Sequence, residues 1–197
     1  MTHVDGHAPV ARSEIECHIR RNWPAAKLEF VSWQEGPIEQ AIPGFEVCQI
    51  SPVEPSDPWV YMSCGASSVV SGVDFPLEFL ITSPQATGQH IETLTMVAYL
   101  HSDPRYRLKL GSIIEIGRPW LGSSGFMNLL VSLPYPFGPS VEWLLRDNDL
   151  PDIRVLWLLP ISDAERDFAR AKGVESLERR FDAAAIDAID PKRPSVV

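Results

Sequence analysis

Short apolar stretches separated by proline and glycine run along the chain, and two of them lie near its centre. Residues 59–67 and 77–81 are rich in aromatic and aliphatic side chains, which is typical of β-strands. The segment that joins them, residues 68–74, is too long for a tight hairpin turn. We therefore predict a surface loop there, of the kind in which binding residues are common.

Alternation of apolar and polar positions predicts further strands on both sides of this pair. Pro160 is expected to end the last of them, and residues 142–145 fit either a short strand or a helical turn. The other predicted strands are residues 27–33, 45–50, 108–116, 126–133 and 153–159.

Apolar residues spaced by three and four positions predict four helices. Ser13 is the expected cap of the first, while Ser162 and Glu165 form a capping box and Gly173 is a stop signal. Strands and helices together predict an α+β fold, with a mixed, mainly antiparallel β-sheet flanked by helices. The predicted helices are residues 13–21, 89–101, 163–172 and a last one from residue 174.

The length of 197 residues suits one domain with a substantial core. We assign residues 13–186 to this domain, residues 1–12 to a flexible N-terminal tail and residues 187–197 to a flexible, polar C-terminal tail. No apolar run approaches the roughly 20 residues of a membrane span, and the N-terminal residues lack the apolar core of a secretion signal. We expect no membrane association.

Three widely spaced cysteines, Cys17, Cys48 and Cys64, fit neither a disulfide framework nor a zinc site. Buried free thiols in a reducing compartment are the simplest interpretation. The expected location is the cytoplasm.

Charge is distributed unevenly along the chain. The net charge is −9, and residues 28–104 contain no Lys or Arg. Such a region repels nucleic acid and anionic lipid and attracts a basic protein partner. A surface that only aids solubility is the alternative. The acids of this region are Glu29, Glu35, Glu39, Glu46, Glu54, Asp57, Asp74, Glu78, Glu92 and Asp103.

No catalytic signature accompanies these features. The chain has no G-x-S-x-G elbow, no H-E-x-x-H pattern and no spacing that predicts a metal or cofactor site. An enzyme with a carboxylate or thiol site stays open as an alternative. It would need a cleft that gathers two of the residues Cys64, Glu78, Glu92, His90 and His101.

Five segments in order resemble the Suppressor of fused family. Residues 59–67 read W-V-Y-M-S-C-G-A-S, similar to the family stretch W-x-Y-x-S-x-G-L-S, with Ala66 where Leu is usual. Residues 77–81 resemble the following strand of the family. The other three resembling segments are residues 97–100, 111–121 and 155–165, the last being similar to a late strand followed by P-I-T-x-x-E.

The resemblance implies an α and β domain without a cofactor or known catalysis, whose relatives act by binding proteins. The animal member holds a transcription-factor peptide between two domains, and this chain resembles only the first of them. Small bacterial members are thought to include immunity proteins that neutralise toxins, which here suggests a basic toxin as partner. A homo-oligomer formed through the aromatic loop 134–139 is a further alternative. The candidate partner-binding residues are Tyr61, Ser68, Asp74, Glu78, Asp57, Trp120 and Tyr135.

Overall fold

The computed structural model describes residues 10–68, 75–146 and 152–197. Within them, eight strands form one sheet with the order β1-β2-β3-β4-β8-β6-β5, and β7 pairs with the beginning of β8. The strands are β1 (Leu28–Val31), β2 (Glu46–Ile50), β3 (Trp59–Cys64), β4 (Leu77–Ser83), β5 (Ile113–Glu115), β6 (Phe126–Ser132), β7 (Trp143–Leu144) and β8 (Ile153–Ser162). The helices are α1 (Arg12–Asn22), α2 (Ile38–Ala41), α3 (Gln89–Ser102), α4 (Pro139–Glu142), α5 (Asp163–Lys172) and α6 (Val174–Ala184).

All neighbouring strands are antiparallel except β4 and β8, which are parallel. In that pair, Leu77 lies opposite Arg154 and Leu80 opposite Trp157. The predicted mixed, mainly antiparallel sheet flanked by helices is therefore confirmed.

Both faces of the sheet are covered by helices. On β4, Phe79 and Ile81 point towards a core that includes α2 and α3, whereas Leu80 points towards a second core that includes α1, α5 and α6. Successive side chains of a strand point to opposite faces of the sheet, so a continuous apolar run such as β4 contributes to both cores. This explains why residues 77–83 are buried without exception.

The first helix begins differently from the prediction. It starts at Arg12, and no side chain caps it, so the predicted Ser13 cap is wrong. The backbone N–H of Ala11 instead donates to Glu14 Oε2 at 2.7 Å. Inside this helix, His18 is buried, while Cys17 is exposed, which corrects the expectation that all three thiols are buried.

Pro160 does not end the last strand, which continues to Ser162. Pairing between β4 and β8 stops at Trp157, whereas β6 continues alongside, with Leu129 opposite Pro160. Pro160 thus lies where β8 has only one sheet neighbour, a place where the missing N–H of proline is tolerated.

Several short elements differ from those that the sequence patterns predict. Residues 142–145 contain both alternatives, because α4 ends at Glu142 and β7 follows at once. The strand predicted at residues 108–116 shortens to β5, Ile113–Glu115. The capping box of α5 is confirmed, with the N–H of Glu165 donating to Ser162 Oγ at 3.2 Å and the N–H of Ser162 donating to Glu165 Oε2 at 2.9 Å.

The C-terminal segment packs onto the domain instead of fraying from it. Arg193 is almost fully buried and forms a salt bridge with Glu165 at 2.6 Å. Of the N-terminal tail, residues 1–9 lie outside the described residues, and Arg12 belongs to α1. None of the helices that the structure describes is long and apolar enough to cross a membrane.

Candidate functional site: an acidic groove with an apolar floor

A groove of about 770 Å³ opens on the sheet face that carries α1, α5 and α6. Strand residues form its floor: Ile50 of β2, Thr82 of β4, and Trp157 and Leu159 of β8. The indole Nε1–H of Trp157 donates to Thr82 Oγ1 at 3.3 Å. This hydrogen bond satisfies the one polar atom of the tryptophan, so the indole can serve as an apolar surface.

Three segments form the walls. The first is the loop between β2 and β3, residues 51–58; the second consists of α6 and residues 185–189 that follow it. The third contains Trp23, just after α1, and the aromatic loop with Tyr135 and Phe137. Trp23 and Phe137 contact each other edge to face with ring centroids 5.3 Å apart, while Tyr135 is 61% exposed.

The groove is acidic. Among the described residues, those that line it include Asp57, Glu178, Asp182 and Asp187, and no lysine or arginine. Partial burial, together with Glu178 and Asp182, raises the pKa of Tyr135, as expected beside several carboxylates. A site with an apolar floor and a rim of one charge favours a ligand that is both apolar and cationic.

The groove contains two of the predicted partner-binding residues. Asp57 reaches it from the loop before β3, and Tyr135 reaches it from the loop after β6. Ser68 is half-buried in a short 3-10 turn and does not line the groove. Asp74 lies outside the described residues.

Three other predicted contact residues are buried, which corrects their assignment to a partner-binding surface. Tyr61, Glu78 and Trp120 are each at most 1% exposed. The hydroxyl of Tyr61 accepts a hydrogen bond from the N–H of Thr87 at 2.7 Å, and the indole of Trp120 stacks on His90. A core lies on each face of the sheet, so side chains on either face are buried. The alternation of apolar and polar positions in the sequence does not reveal this.

Glu78 lies in a shell of hydrogen-bond donors. Its Oε1 accepts from the hydroxyl of Ser67 at 2.7 Å and from the backbone N–H groups of Gly65 and Ser67 at 3.0 and 3.1 Å. Its Oε2 accepts from Ser63, whose hydroxyl also accepts from the N–H of Phe79 at 2.8 Å. Burial raises the pKa of Glu78, although these hydrogen bonds oppose the shift. The carboxyl group therefore ties the end of β3 to β4.

Three of the residues proposed for an alternative catalytic site have pKa shifts that disfavour a nucleophile and base. Burial and the neighbouring Glu78 raise the pKa of Cys64, so its thiol stays protonated, which disfavours nucleophilic attack. Burial lowers the pKa of His90 to about 3 and that of His101 to about 4. Among the described residues, no group of three or more His, Cys, Asp or Glu side chains could hold a metal ion.

Sequence reasoning missed much of the groove. Glu178 and Asp182 are four positions apart on α6, next to the buried Leu177 and Phe181. That spacing places both acids on one side of the helix. It is the feature of the sequence that could have indicated an acidic surface on α6. Asp187 lies in the segment that was predicted as a tail.

Comparison with known proteins connects this fold to one family. The family model described as Suppressor of fused protein (SUFU) matches residues 43–194, and a search of curated proteins finds no match. A solved structure of a protein described as a SUFU homologue from Neisseria gonorrhoeae FA 1090 is 38% identical, with a TM-score of 0.83 over 94% of this chain and 96% of that chain.

Two more distant structures share the fold. A chain of the Sufu–Fu complex is 14% identical, with a TM-score of 0.67 over 96% of this chain and 93% of that chain. Drosophila Suppressor of Fused is also 14% identical, with a TM-score of 0.70 over 95% of this chain and 51% of that chain. The family match covers most of the chain, and the Neisseria protein is similar along nearly its whole length. This chain belongs to the Suppressor of fused protein (SUFU) family.

Proposed function

We propose that this chain is a non-catalytic protein-binding domain whose groove holds a cationic, partly apolar segment of a partner protein. The observation that supports it most is the combination of an apolar floor at Trp157 and Leu159 with a rim of four carboxylates, without a basic side chain among the lining residues that the structure describes. Membership of the SUFU family agrees with this role, because the Sufu–Fu complex shows a protein of the same fold in a complex.

Charge reversal at the rim tests the role of the groove. Asp57 lies in the loop between β2 and β3 and Asp182 lies on α6, so a variant with Asp57→Lys and Asp182→Lys changes two different walls of the groove. A matched control reverses two exposed acids outside the groove, Glu29→Lys and Glu35→Lys, and changes the net charge equally. Because both variants have the same net charge, a difference between them reports the groove.

The probe is a fluorescein-labelled synthetic peptide of alternating lysine and leucine, with a glutamate–leucine peptide as its negative control. We expect fluorescence anisotropy at low salt to show binding of the lysine peptide alone. The groove variant should bind it roughly ten-fold more weakly, since two ion pairs are lost and each contributes up to about 1 kcal/mol at a partly exposed site. Equal losses in the groove variant and the control variant would show that net charge, and not the groove, attracts the peptide.

A basic toxin is the partner class that we propose, with sequestration as the means of neutralising it. The net charge of −9 and the acidic rim support attraction of a basic protein. The three free cysteines support a reducing compartment such as the cytoplasm. If the chain is an immunity protein, the wild type is expected to protect cells from a co-expressed basic toxin. The variant with Asp57→Lys and Asp182→Lys is expected to lose this protection. Full protection by that variant contradicts an immunity role through this groove.

A further inference from the structure

The C-terminal segment, residues 185–197, builds one wall of the groove. Residues 185–189 line the groove directly after α6. Two of these residues, Ile186 and Ala188, and Val196 farther along pack against the core to which Trp157 and Leu159 of the groove floor belong. The groove is therefore a composite of the sheet and the last residues of the chain, so its shape depends on how that segment is held.

A turn starts the segment. Ala185 adopts a left-handed backbone conformation with φ of 45°, which ends α6, and its N–H donates to Asp182 O at 3.1 Å. The N–H of Ile186 donates to Phe181 O at 3.3 Å. A second turn follows, in which the N–H of Asp190 donates to Asp187 O at 3.3 Å. These hydrogen bonds fix the local path of the backbone after α6.

Arg193 is the anchor of the segment. Its two terminal nitrogens donate to both carboxylate oxygens of Glu165, at 2.6 and 2.9 Å, and Nη2 also donates to Pro160 O at 3.0 Å. Its guanidinium carbon lies 4.3 Å from the ring centroid of Phe126 and 5.2 Å from that of Phe181. Phe181 itself lines the groove, so the anchor and the groove share a side chain.

This contact is more than a surface ion pair. The side chains of Arg193 and Glu165 are 3% and 0% exposed, and the N–H of Val196 adds a hydrogen bond to Glu165 Oε1 at 3.2 Å. Removing one member of such a pair leaves the other charge buried without compensation, which is strongly unfavourable. Without Arg193, the segment and Glu165 must therefore rearrange together.

We propose that Arg193 is a positioning residue of the groove: its ion pair with Glu165 holds residues 185–189 as a wall, and binding of the cationic partner segment requires that wall. The inference rests on the proposed function, because it concerns the same groove. It adds that the acidic rim is completed by Asp187, which belongs to the segment that Arg193 anchors.

Two substitutions at Arg193 and one control test it. Arg193→Gln removes the charge, whereas Arg193→Lys keeps the charge but loses the two parallel hydrogen bonds to Glu165. Arg170→Gln is the control, since Arg170 also forms a salt bridge from α5, with Glu115 at 2.9 Å, but is exposed and does not line the groove. Hydrogen–deuterium exchange of residues 185–197 and anisotropy with the lysine–leucine peptide are measured on all four proteins.

We expect Arg193→Gln to accelerate exchange in residues 185–197 at least roughly ten-fold and to weaken peptide binding by a similar factor. Arg193→Lys should give intermediate values for both, and Arg170→Gln should match the wild type. If Arg193→Gln does not fold, the correlated intermediate values of Arg193→Lys decide the question.

The possible failures are distinguishable. A wild-type protein that does not bind the peptide contradicts the proposed function and the inference with it. Wild-type affinity in a variant whose residues 185–197 exchange rapidly overturns the inference alone. Weakened binding with unchanged exchange in both Arg193 variants also overturns it, because the arginine would then act without positioning the wall.

Discussion

Glu78→Ala is expected to be among the most destabilising single substitutions in this chain. The change leaves the backbone N–H groups of Gly65 and Ser67 and the hydroxyls of Ser63 and Ser67 without their carboxylate acceptor. A buried donor left unsatisfied costs about 1–3 kcal/mol, and the two hydroxyls can rotate towards other acceptors whereas the two backbone groups cannot. The backbone groups alone therefore predict a loss of about 2–6 kcal/mol.

That loss is comparable to the whole free energy of unfolding of many domains, about 5–15 kcal/mol. A milder companion, Glu78→Gln, keeps an oxygen that can accept the three hydrogen bonds now made to Oε1 and should cost about 1–2 kcal/mol. Glu29→Ala is the control at an exposed glutamate and should stay within about 0.5 kcal/mol of the wild type.

Urea unfolding followed by tryptophan fluorescence measures all three, because the chain has six tryptophans. The expected order of stability is Glu29→Ala, then Glu78→Gln, then Glu78→Ala. A Glu78→Ala variant within about 1 kcal/mol of the wild type would refute the reasoning, since the shell of donors would then have found other partners. Lysine at position 78 is expected to prevent folding rather than only weaken a partner contact.

Three further outcomes follow from the titratable groups. Burial raises the pKa of Glu78, so its contribution to stability is complete below the ordinary glutamate pKa and is lost as pH rises through the pKa of the folded state. Glu78→Gln should therefore flatten that part of a plot of unfolding free energy against pH. Burial lowers the pKa of His90 to about 3 in the folded state, so its contribution to stability is present above pH about 6.5 and is lost as pH falls towards 3. Neither ring nitrogen of His90 has a hydrogen-bond partner in the part of the chain that the structure describes, so His90→Phe should be neutral to about 2 kcal/mol stabilising at pH 7. A loss of stability above about 1 kcal/mol would contradict this. Ellman's reagent should react rapidly only with Cys17 in the native protein, because Cys48 and Cys64 are buried. Burial also raises the pKa of Cys64, and that of Cys48 to about 12, which keeps both thiols protonated. Rapid reaction of all three thiols would contradict the described burial.

The longer elements could be predicted because their signals are local. The apolar runs of β4 and β6 and the capping box of α5 depend only on neighbouring residues, and they are where the sequence places them. Two-residue β7 and four-residue α2 are too short to show a period, so only tertiary contacts define them.

The site was harder to predict because it joins distant parts of the chain. Asp57 and Tyr135 were singled out by charge and by an aromatic loop, but nothing in the sequence says that they share a groove. Glu78 misled the prediction, since a glutamate between apolar residues is normally exposed. Its shell of donors comes from the end of another strand, so burial of this charge is a tertiary property.

The parallel pair of β4 and β8 has a consequence for how the chain folds. Strands β1 to β4 pair in sequence order, so each can pair as soon as the next strand is present. The other neighbour of β4 is β8, and Leu77 pairs there with Arg154, far along the sequence. Closing so long a loop is slow and entropically costly. During synthesis, the edge of β4 that pairs with β8 therefore stays unpaired until Ile153–Ser162 has left the ribosome, and an open strand edge favours aggregation in that interval.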